Sequence, residues 1–454
     1  MPIEQGAPIV RFAPSPTGKL HIGNARAALL NYLFAKAAGG QFVLRLDDTD
    51  RERSTDEFAQ GIIEDLNWLG LASDRLERQS ERLALYDEAA TRLKEQGRLY
   101  PCYETADELD RRRKRQRARG LPPIYDRAAL QMTKQEKAAF EAEGRRPHWR
   151  FKLAGGETRF EDMILGSVGV DTGSVSDPVL IREDGTYLYT LPSVIDDIEF
   201  GITHVIRGND HVTNTGVQIQ LIEALGGAVP AFAHYSLLQG PDGRPFSKRA
   251  DAAFTLSNMR DAGYEPMAVA SLLARLGTPD PVELATDLAT LAGRFDLTRF
   301  GKSDIRLDAG ELDRANAGVL GLLTYEEVRP RLVAAEADLG AAFWVAVQPN
   351  LATFGEVGDW ARVVQGPVTP VFAEAADKDF AAEAGNLLPA EPWDDTIWGS
   401  WTGAVKQATG RKGKMLFMPL RLALTGLDHG PELKNLLPLI GRDKALARLQ
   451  GQTA

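Results

Sequence analysis

Residues 11–23 read RFAPSPTGKLHIG, and they run from an apolar strand (Ile9 to Ala13) into His21-Ile22-Gly23-Asn24 at the mouth of a helix. Between the two, Pro14, Pro16 and Gly18 suit a tight, rigid strand-to-helix turn. A helix N-terminus presents unpaired backbone N–H groups and a partial positive charge, so an α/β fold holds phosphate there. His21 adds a donor at that point, and Gly23 leaves room for close approach. Downstream, residues 22–38 read as a helix with Ala27, Leu30, Leu33 and Phe34 on its apolar side. QFVLRL (41–46) reads as a strand and Thr55 to Leu69 as a second helix. This is the βαβ rhythm of a doubly wound parallel sheet. Such sheets bind ligands at the carboxyl ends of their strands, where both the PSPTG turn and Asp47-Asp48-Thr49-Asp50 fall.

With 454 residues, 44% of them apolar and 26% charged, the chain is expected to hold several domains of an ordinary globular protein. MPIEQGAPIV at the start lacks a basic region followed by an apolar run, and no stretch approaches the ~18 apolar residues of a membrane span. A single cysteine, Cys102, excludes an intrachain disulfide and a cysteine-rich zinc site. The cytosol is the expected compartment, with no membrane partner. The net charge of −10 is unfavourable for a nucleic-acid partner when taken as a sum, but the charge is segregated. RRRKRQRAR (111–119) has seven basic side chains in nine residues. Residues 396–427 carry Lys406, Arg411, Lys412, Lys414 and Arg421 with no acid, whereas 374–395 hold seven acids against Lys378 alone. Such a pattern suits a protein that grips a polyanion locally and repels it elsewhere. At helical spacing the 111–119 charges cover every face, which equally describes a solvated helix.

Past residue 98 the character changes. Thr105 to Glu108 is a capping box, and the helix it opens has acids first and arginines last before ending at Gly120 and Pro122. The αβ pattern returns in GTYLYTLPSVIDD and THVIRGNDH, so 98–186 reads as an insertion in a catalytic domain formed by 1–97 and 187–238. From about 254 onward strands become scarce and helical periodicity dominates. There is no P-loop and no G-x-G-x-x-G, which excludes a P-loop enzyme and a standard dinucleotide binder.

A second segment gives the H-I-G turn its meaning. Pro245-Phe246-Ser247-Lys248-Arg249 lies in a polar, glycine-bearing loop, and H-I-G followed by S-K-R is the paired signature of class I aminoacyl-tRNA synthetases. RFAPSPTG with HIG, RLDDTDRERST (45–55), VIDDIEFGITHVIRGNDH (194–211) and GRKGKMLFMPLRLALTG (410–426) resemble, more narrowly, the bacterial glutamyl-tRNA synthetases. The matching segments span nearly the whole chain. The resemblance implies a Rossmann-like parallel sheet, an inserted acceptor-binding domain, a connecting helical domain with the S-K-R loop over 239–320, and a helical anticodon-binding region over 321–454. It also implies ATP, as its Mg²⁺ complex, L-glutamate and tRNA as partners, and a monomer.

Joining glutamate to the α-phosphate of ATP builds negative charge on the phosphates, so the reaction needs fixed donors and cations more than a nucleophile. His21, Gly23 and Asn24 are the expected ATP contacts, with Lys248 neutralising the leaving phosphates as its loop closes. The family often has a lysine where this chain has Pro245. Glutamate carries two carboxylates and one ammonium, so its pocket wants forked guanidinium groups and one acid. By similarity Arg11, Tyr189 and Arg207 would face the side-chain carboxylate, Ser15 would fill the polar wall, and Asp47 would hold the ammonium. Many relatives have glutamate at the Asp47 position, and some have asparagine where this chain has Ser193.

The PSPTG turn and the helical C-terminal region favour glutamate over glutamine as substrate. Asp196-Asp197 read as structural residues, and Asp47 to Asp50 as a helix-leading turn, not a metal site. Some relatives carry zinc in the insertion on C-x-C and a later C-x-H. Here Cys102-Tyr103-Glu104 and YDRAAL (125–130) depart from that pattern, and no zinc is expected. Arg411, Lys412 and Lys414 are the expected contacts to the tRNA backbone. Three competing readings are weaker. A shortened paralogue that glutamylates a tRNA base would lack the C-terminal helices. A non-catalytic paralogue would have lost His21, Gly23 or Lys248. A Rossmann redox protein would need the glycine fingerprint. Charging of tRNA(Gln) in place of, or alongside, tRNA(Glu) stays open.

Overall fold

A computed structural model describes residues 6–240, 243–244, 252–394 and 396–454. In the first unit β1 (Ile9–Phe12), α1 (Ile22–Ala37), β2 (Gln41–Leu46), α2 (Asp56–Trp68) and β3 (Arg75–Arg78) alternate. β2 lies between β1 and β3 and is parallel to both. All of β2 after Gln41 is buried, the apolar Phe42, Val43, Leu44 and Leu46 as a strand covered on both faces requires, and Arg45 with them.

α3 (Leu83–Glu95) then leads into β4 (Leu99–Cys102), α4 (Ala106–Ala118), α5 (Lys134–Ala142), β5 (His148–Phe151), β6 (Glu157–Asp162), β7 (Gly166–Asp171) and β8 (Val179–Ile181). The capping box at the start of α4 forms as its sequence predicts, Thr105 accepting from the Glu108 backbone N–H and Glu108 from that of Thr105. α4 fully buries none of its residues; Leu109, Arg112 and Gln116 make a half-buried face, and most of the 111–119 charges lie on the exposed remainder. The inserted stretch divides its strands. β4, β5 and β8 form an antiparallel sheet of their own, whereas the β6–β7 hairpin joins the sheet that carries the later strands.

Those later strands come with α6 (Thr190–Glu199), β9 (His204–Gly208), α7 (Val212–Leu225) and β10 (Ala231–Tyr235). β9, β10 and β6 run parallel, and β7 pairs antiparallel on the outside. The Thr203 N–H donates to the Ile9 carbonyl at 2.9 Å, which sets the start of β9 beside β1. The sheets β3-β2-β1 and β9-β10-β6-β7 therefore meet edge to edge at β1 and β9, and the direction of winding reverses between these two strands. That reversal is where an open α/β sheet leaves a crevice for ligands.

Beyond β10 come the short β11 (Leu238–Gln239), α8 (Leu256–Asp261) and β12 (Ile305–Arg306), which pairs with β11. This first unit runs to Asp261 and includes Ala270–Glu283 and Asp287–Asp308. The second unit comprises Ala262–Val269, Leu284–Thr286 and Ala309–Ala454, and its described residues contain helices and no strand. Its core is built around Trp344 and Trp401, both essentially inaccessible. Each indole N–H finds a backbone carbonyl, of Leu323 and of Ala384 respectively, at 2.9 Å, which removes the cost of burying it.

Candidate active site

A pocket of about 460 Å³ opens at the carboxyl ends of β1, β9 and β10. Arg11, Ser15, His21, Gly23, Asn24, Tyr189 and Arg207, separated by almost two hundred residues of sequence, all line it. The PSPTG turn brings the exposed Ser15 into the pocket lining and delivers the chain to α1. His21 caps that helix: its Nδ1 accepts from the Gly23 N–H at 3.1 Å, and Asn24 Oδ1 accepts from the His21 N–H at 3.2 Å. An accepting Nδ1 puts the ring proton of a neutral imidazole on Nε2, the tautomer suited to donating to a phosphate.

Arg11 stands at the end of β1 with Nε and Nη2 on the two oxygens of Asp197, at 3.1 and 3.3 Å. Beneath it Arg45, completely buried, donates to Asp197 Oδ1 at 2.8 Å and to Asp47 through two bonds of 2.7 and 3.2 Å. Burial opposes the charge on Asp197, but Arg11 and Arg45 hold its carboxyl below the usual range. For Asp47 burial prevails and pushes the carboxyl up to about 6. Asp47 is thus engaged by Arg45 and, among the described residues, is absent from the pocket lining, whose acid is Asp210. Asp196 accepts from Gln79, Arg82 and Tyr86 beneath the sheet and is structural. Ser193 accepts from Arg45 at 3.1 Å through its hydroxyl.

Arg207 differs from both other arginines. It is 7% exposed, and the groups it donates to are all neutral. Nη1 reaches the Tyr189 hydroxyl at 3.4 Å, Nη2 reaches Thr215 Oγ1 at 2.6 Å and Gln218 Oε1 at 2.7 Å, and Nε reaches His234 Nε2 at 3.3 Å. Desolvation lowers its pKa, and the nearby positive charge of Arg11 adds to this. Two guanidinium groups on one wall, one of them with no acid among its hydrogen-bond partners, make a receptor for a carboxylate. Thr215, Gln218 and His234 were not legible as site residues. The one available signal, for Gln218 alone, was a polar residue within the apolar VQIQLI stretch of α7.

Lys248 lies outside the described residues. Seven residues on, Thr255 bridges to His21, and the Leu256 N–H donates to the Leu20 carbonyl at 3.0 Å. Thr255 and Leu256 therefore lie against the H-I-G turn. In the second unit Arg411 is tied into the fold, on Asp377 at 2.7 Å and over the Phe380 ring at 4.2 Å, while Lys412 and Lys414 are exposed. In the insertion, Cys102, Glu104 and His148 bring one ligand atom each within 4.8 Å of one another. The Tyr125 hydroxyl lies between two of them, 3.7 Å from Cys102 Sγ and 2.8 Å from Glu104. Burial pushes the Cys102 thiol up to about 12 and His148 down to about 4.

Residues 9–299 match the family model of class I tRNA synthetases (E and Q), catalytic domain, and 324–452 match that of an anticodon binding domain. The chain belongs to the class I aminoacyl-tRNA synthetases, in the glutamate and glutamine branch. It is 65% identical over 449 residues to glutamate–tRNA ligase 1 of Parvibaculum lavamentivorans, covering 99% of each chain. It is 59% identical over 450 residues to glutamate–tRNA ligase 2 of Methylobacterium sp. strain 4-46, covering 99% of this chain and all of that one. A glutamate tRNA ligase from Elizabethkingia meningosepticum, solved in complex with its amino acid, matches the fold with a TM-score of 0.84 at 27% identity, over 98% of both chains.

Proposed function

We propose that the crevice between β1 and β9 binds L-glutamate and ATP, and that the chain joins glutamate to tRNA(Glu) through a glutamyl-adenylate. The observation that carries this reading is the buried Arg207 guanidinium, held by neutral groups and facing a pocket shared with Arg11. A side-chain carboxylate completes its charge pairing; an amide would leave it desolvated and unpaired, which rejects glutamine.

In the first step an α-carboxylate oxygen of glutamate attacks the α-phosphorus of ATP, and the bond to the β-phosphate bridge breaks to release diphosphate. Arg11, Tyr189 and Arg207 hold the side chain, with Ser15 on the polar wall. His21 Nε2–H, the Asn24 side-chain amide and Lys248 meet the phosphates across the open space that Gly23 leaves, where charge grows in the transition state. Mg²⁺ enters with ATP and supplies charge neutralisation on the phosphates. In the second step a ribose hydroxyl of the terminal adenosine of tRNA attacks the acyl carbon, and AMP leaves. The insertion faces the acceptor end and the helical region from 321 onward the anticodon. Lys412 and Lys414 contact the backbone beside the exposed Phe417, a ring on which an unpaired base can stack. Arg411 supports that turn from within.

Aminoacylation of purified tRNA(Glu) and tRNA(Gln), side by side with labelled glutamate and ATP, tests the reading. Charging of tRNA(Glu) alone is expected. Charging of tRNA(Gln) would make the enzyme non-discriminating, and charging of neither would refute the enzymatic reading. We further propose that the insertion holds no zinc and that the protein is monomeric. One Glu104 oxygen and His148 Nε2 are buried without a hydrogen-bond partner among the described residues, so metal content is a severe test. Stoichiometric zinc in the purified protein would overturn that part.

A further inference from the structure

Behind Arg207 lies a buried pair outside the pocket lining. His234, on β10, is wholly inaccessible, and its Nδ1 is 2.6 Å from Oδ2 of Asp162 at the end of β6. Asp162 Oδ1 accepts three backbone N–H groups, from Ile164 at 2.9 Å, Leu165 at 2.8 Å and His234 at 3.3 Å. Burial opposes ionisation of Asp162, but the His234 bond and these N–H groups hold its carboxyl below the ordinary range. An ionised carboxylate can only accept, so Nδ1 carries a proton. On the other side of the ring, Nε2 faces the Arg207 Nε–H at 3.3 Å and Thr215 Oγ1 at 2.9 Å. Arginine can only donate, so Nε2 must present a lone pair. Both sides therefore require neutral His234 in the Nδ1–H form.

We propose that His234, set in this tautomer by Asp162, is a positioning residue that aims Arg207 at the substrate carboxylate. The β6–β7 hairpin of the inserted stretch thereby controls the amino-acid pocket from behind. The inference rests on the assignment of Arg207 to glutamate. Its physical content is the sign of one hydrogen bond: with Nε2 accepting, the guanidinium is held by its Nε edge and the Nη atoms keep their places on Tyr189, Thr215 and Gln218. With a proton on Nε2, two donors meet in a buried site and the guanidinium must withdraw.

Asp162→Asn reverses that sign with almost no change of shape. The backbone N–H groups of Ile164 and Leu165 claim the amide oxygen, so the amide NH₂ points at Nδ1 and the imidazole proton moves to Nε2. Steady-state aminoacylation at saturating tRNA should show KM for glutamate raised about ten- to a hundredfold, with KM for ATP little changed. The ¹⁵N spectrum of histidine-labelled protein should show His234 changing from the Nδ1–H to the Nε2–H form, with Asp162→Asn and His234→Asn compared for assignment. His234→Asn retains a donor to Asp162 but removes the acceptor for Arg207, so it should raise the glutamate KM alike. It supplies the kinetic test if Asp162→Asn does not fold. Arg207→Gln separates the two claims. If it leaves the glutamate KM unchanged, the pocket assignment fails. If it abolishes glutamate use while the folded variants of Asp162 and His234 keep the wild-type KM, the positioning role is wrong.

Discussion

Gly23 illustrates how little freedom a single position in the site has. A Cβ built there falls 2.9 Å from His21 Cε1 and 3.0 Å from Nδ1, closer than carbon packs without something shifting. The backbone of Gly23 is ordinary helix, so the constraint comes from the neighbouring imidazole. Gly23→Ala should rotate His21 off its cap and misplace the Nε2 donor. Single-turnover adenylate formation is expected to fall by about 10²-fold or more. The melting temperature should not fall correspondingly, because alanine is the better helix former by ~1 kcal/mol. A normal rate of adenylate formation would remove His21 from the phosphate site.

At the scale of elements, the crevice depends on how α1 and α2 are anchored. α1 carries Arg26, fully buried, which donates to the carbonyls of Ser236 at 2.6 Å and Leu276 at 2.9 Å and lies 4.8 Å from the Tyr235 ring centre. One side chain thus ties the H-I-G helix to the end of β10. α2 is anchored at a cost: Asp65 is 3% exposed and meets Arg260 of α8 only at 3.5 Å. Burial raises its carboxyl to about 6, with Arg260 pulling the other way. A folded pKa above the unfolded one means that this group's contribution is fully present below about pH 4 and lost as pH rises through about 6. Asp65→Asn should therefore lose less stability than wild type between pH 5 and pH 8, and exceed it at pH 8 by about 1–3 kcal/mol. Thermal unfolding at the two pH values measures this; an equal loss in both proteins would show that Arg260 compensates the charge fully.

At the scale of the whole molecule, a chain of net charge −10 must bind a polyanion, which only segregated charge permits. Of the three basic residues expected at the 410–414 turn, Arg411 is engaged with Asp377 and Phe380, whereas Lys412 and Lys414 are exposed. The double variant Lys412→Ala, Lys414→Ala should weaken tRNA binding and flatten the slope of log affinity against log salt by about 1 for each phosphate left unneutralised. Arg411→Ala should instead lower the stability of the second unit. Titrations at several salt concentrations distinguish the two, and an unchanged slope for the lysine variant would take this turn out of the tRNA interface.

Local chemistry explains which features could be read in advance. A strand followed by Pro-Ser-Pro-Thr-Gly and a capped helix has few alternatives, so RFAPSPTGKLHIG determined both the βαβ start and the place of the crevice. The Thr105 capping box and the exposed 111–119 helix follow from propensity and charge spacing alone. The partnership of Arg45 with Asp47 was legible in principle, since residues two apart on a strand share a face. What the tertiary structure alone decided is which charges are spent and which remain available. Arg11, Arg45 and Arg207 look alike in one dimension. Asp197, more than 150 residues away, pairs with both of the first two, while neutral groups hold the third. Asp162 and His234 are 72 positions apart, and only the pairing of β6 with β10 brings them together. Propensities act between neighbours in sequence, but desolvation and hydrogen bonding act between neighbours in space. The fold could be read along the chain, and the charge state of its pocket could not.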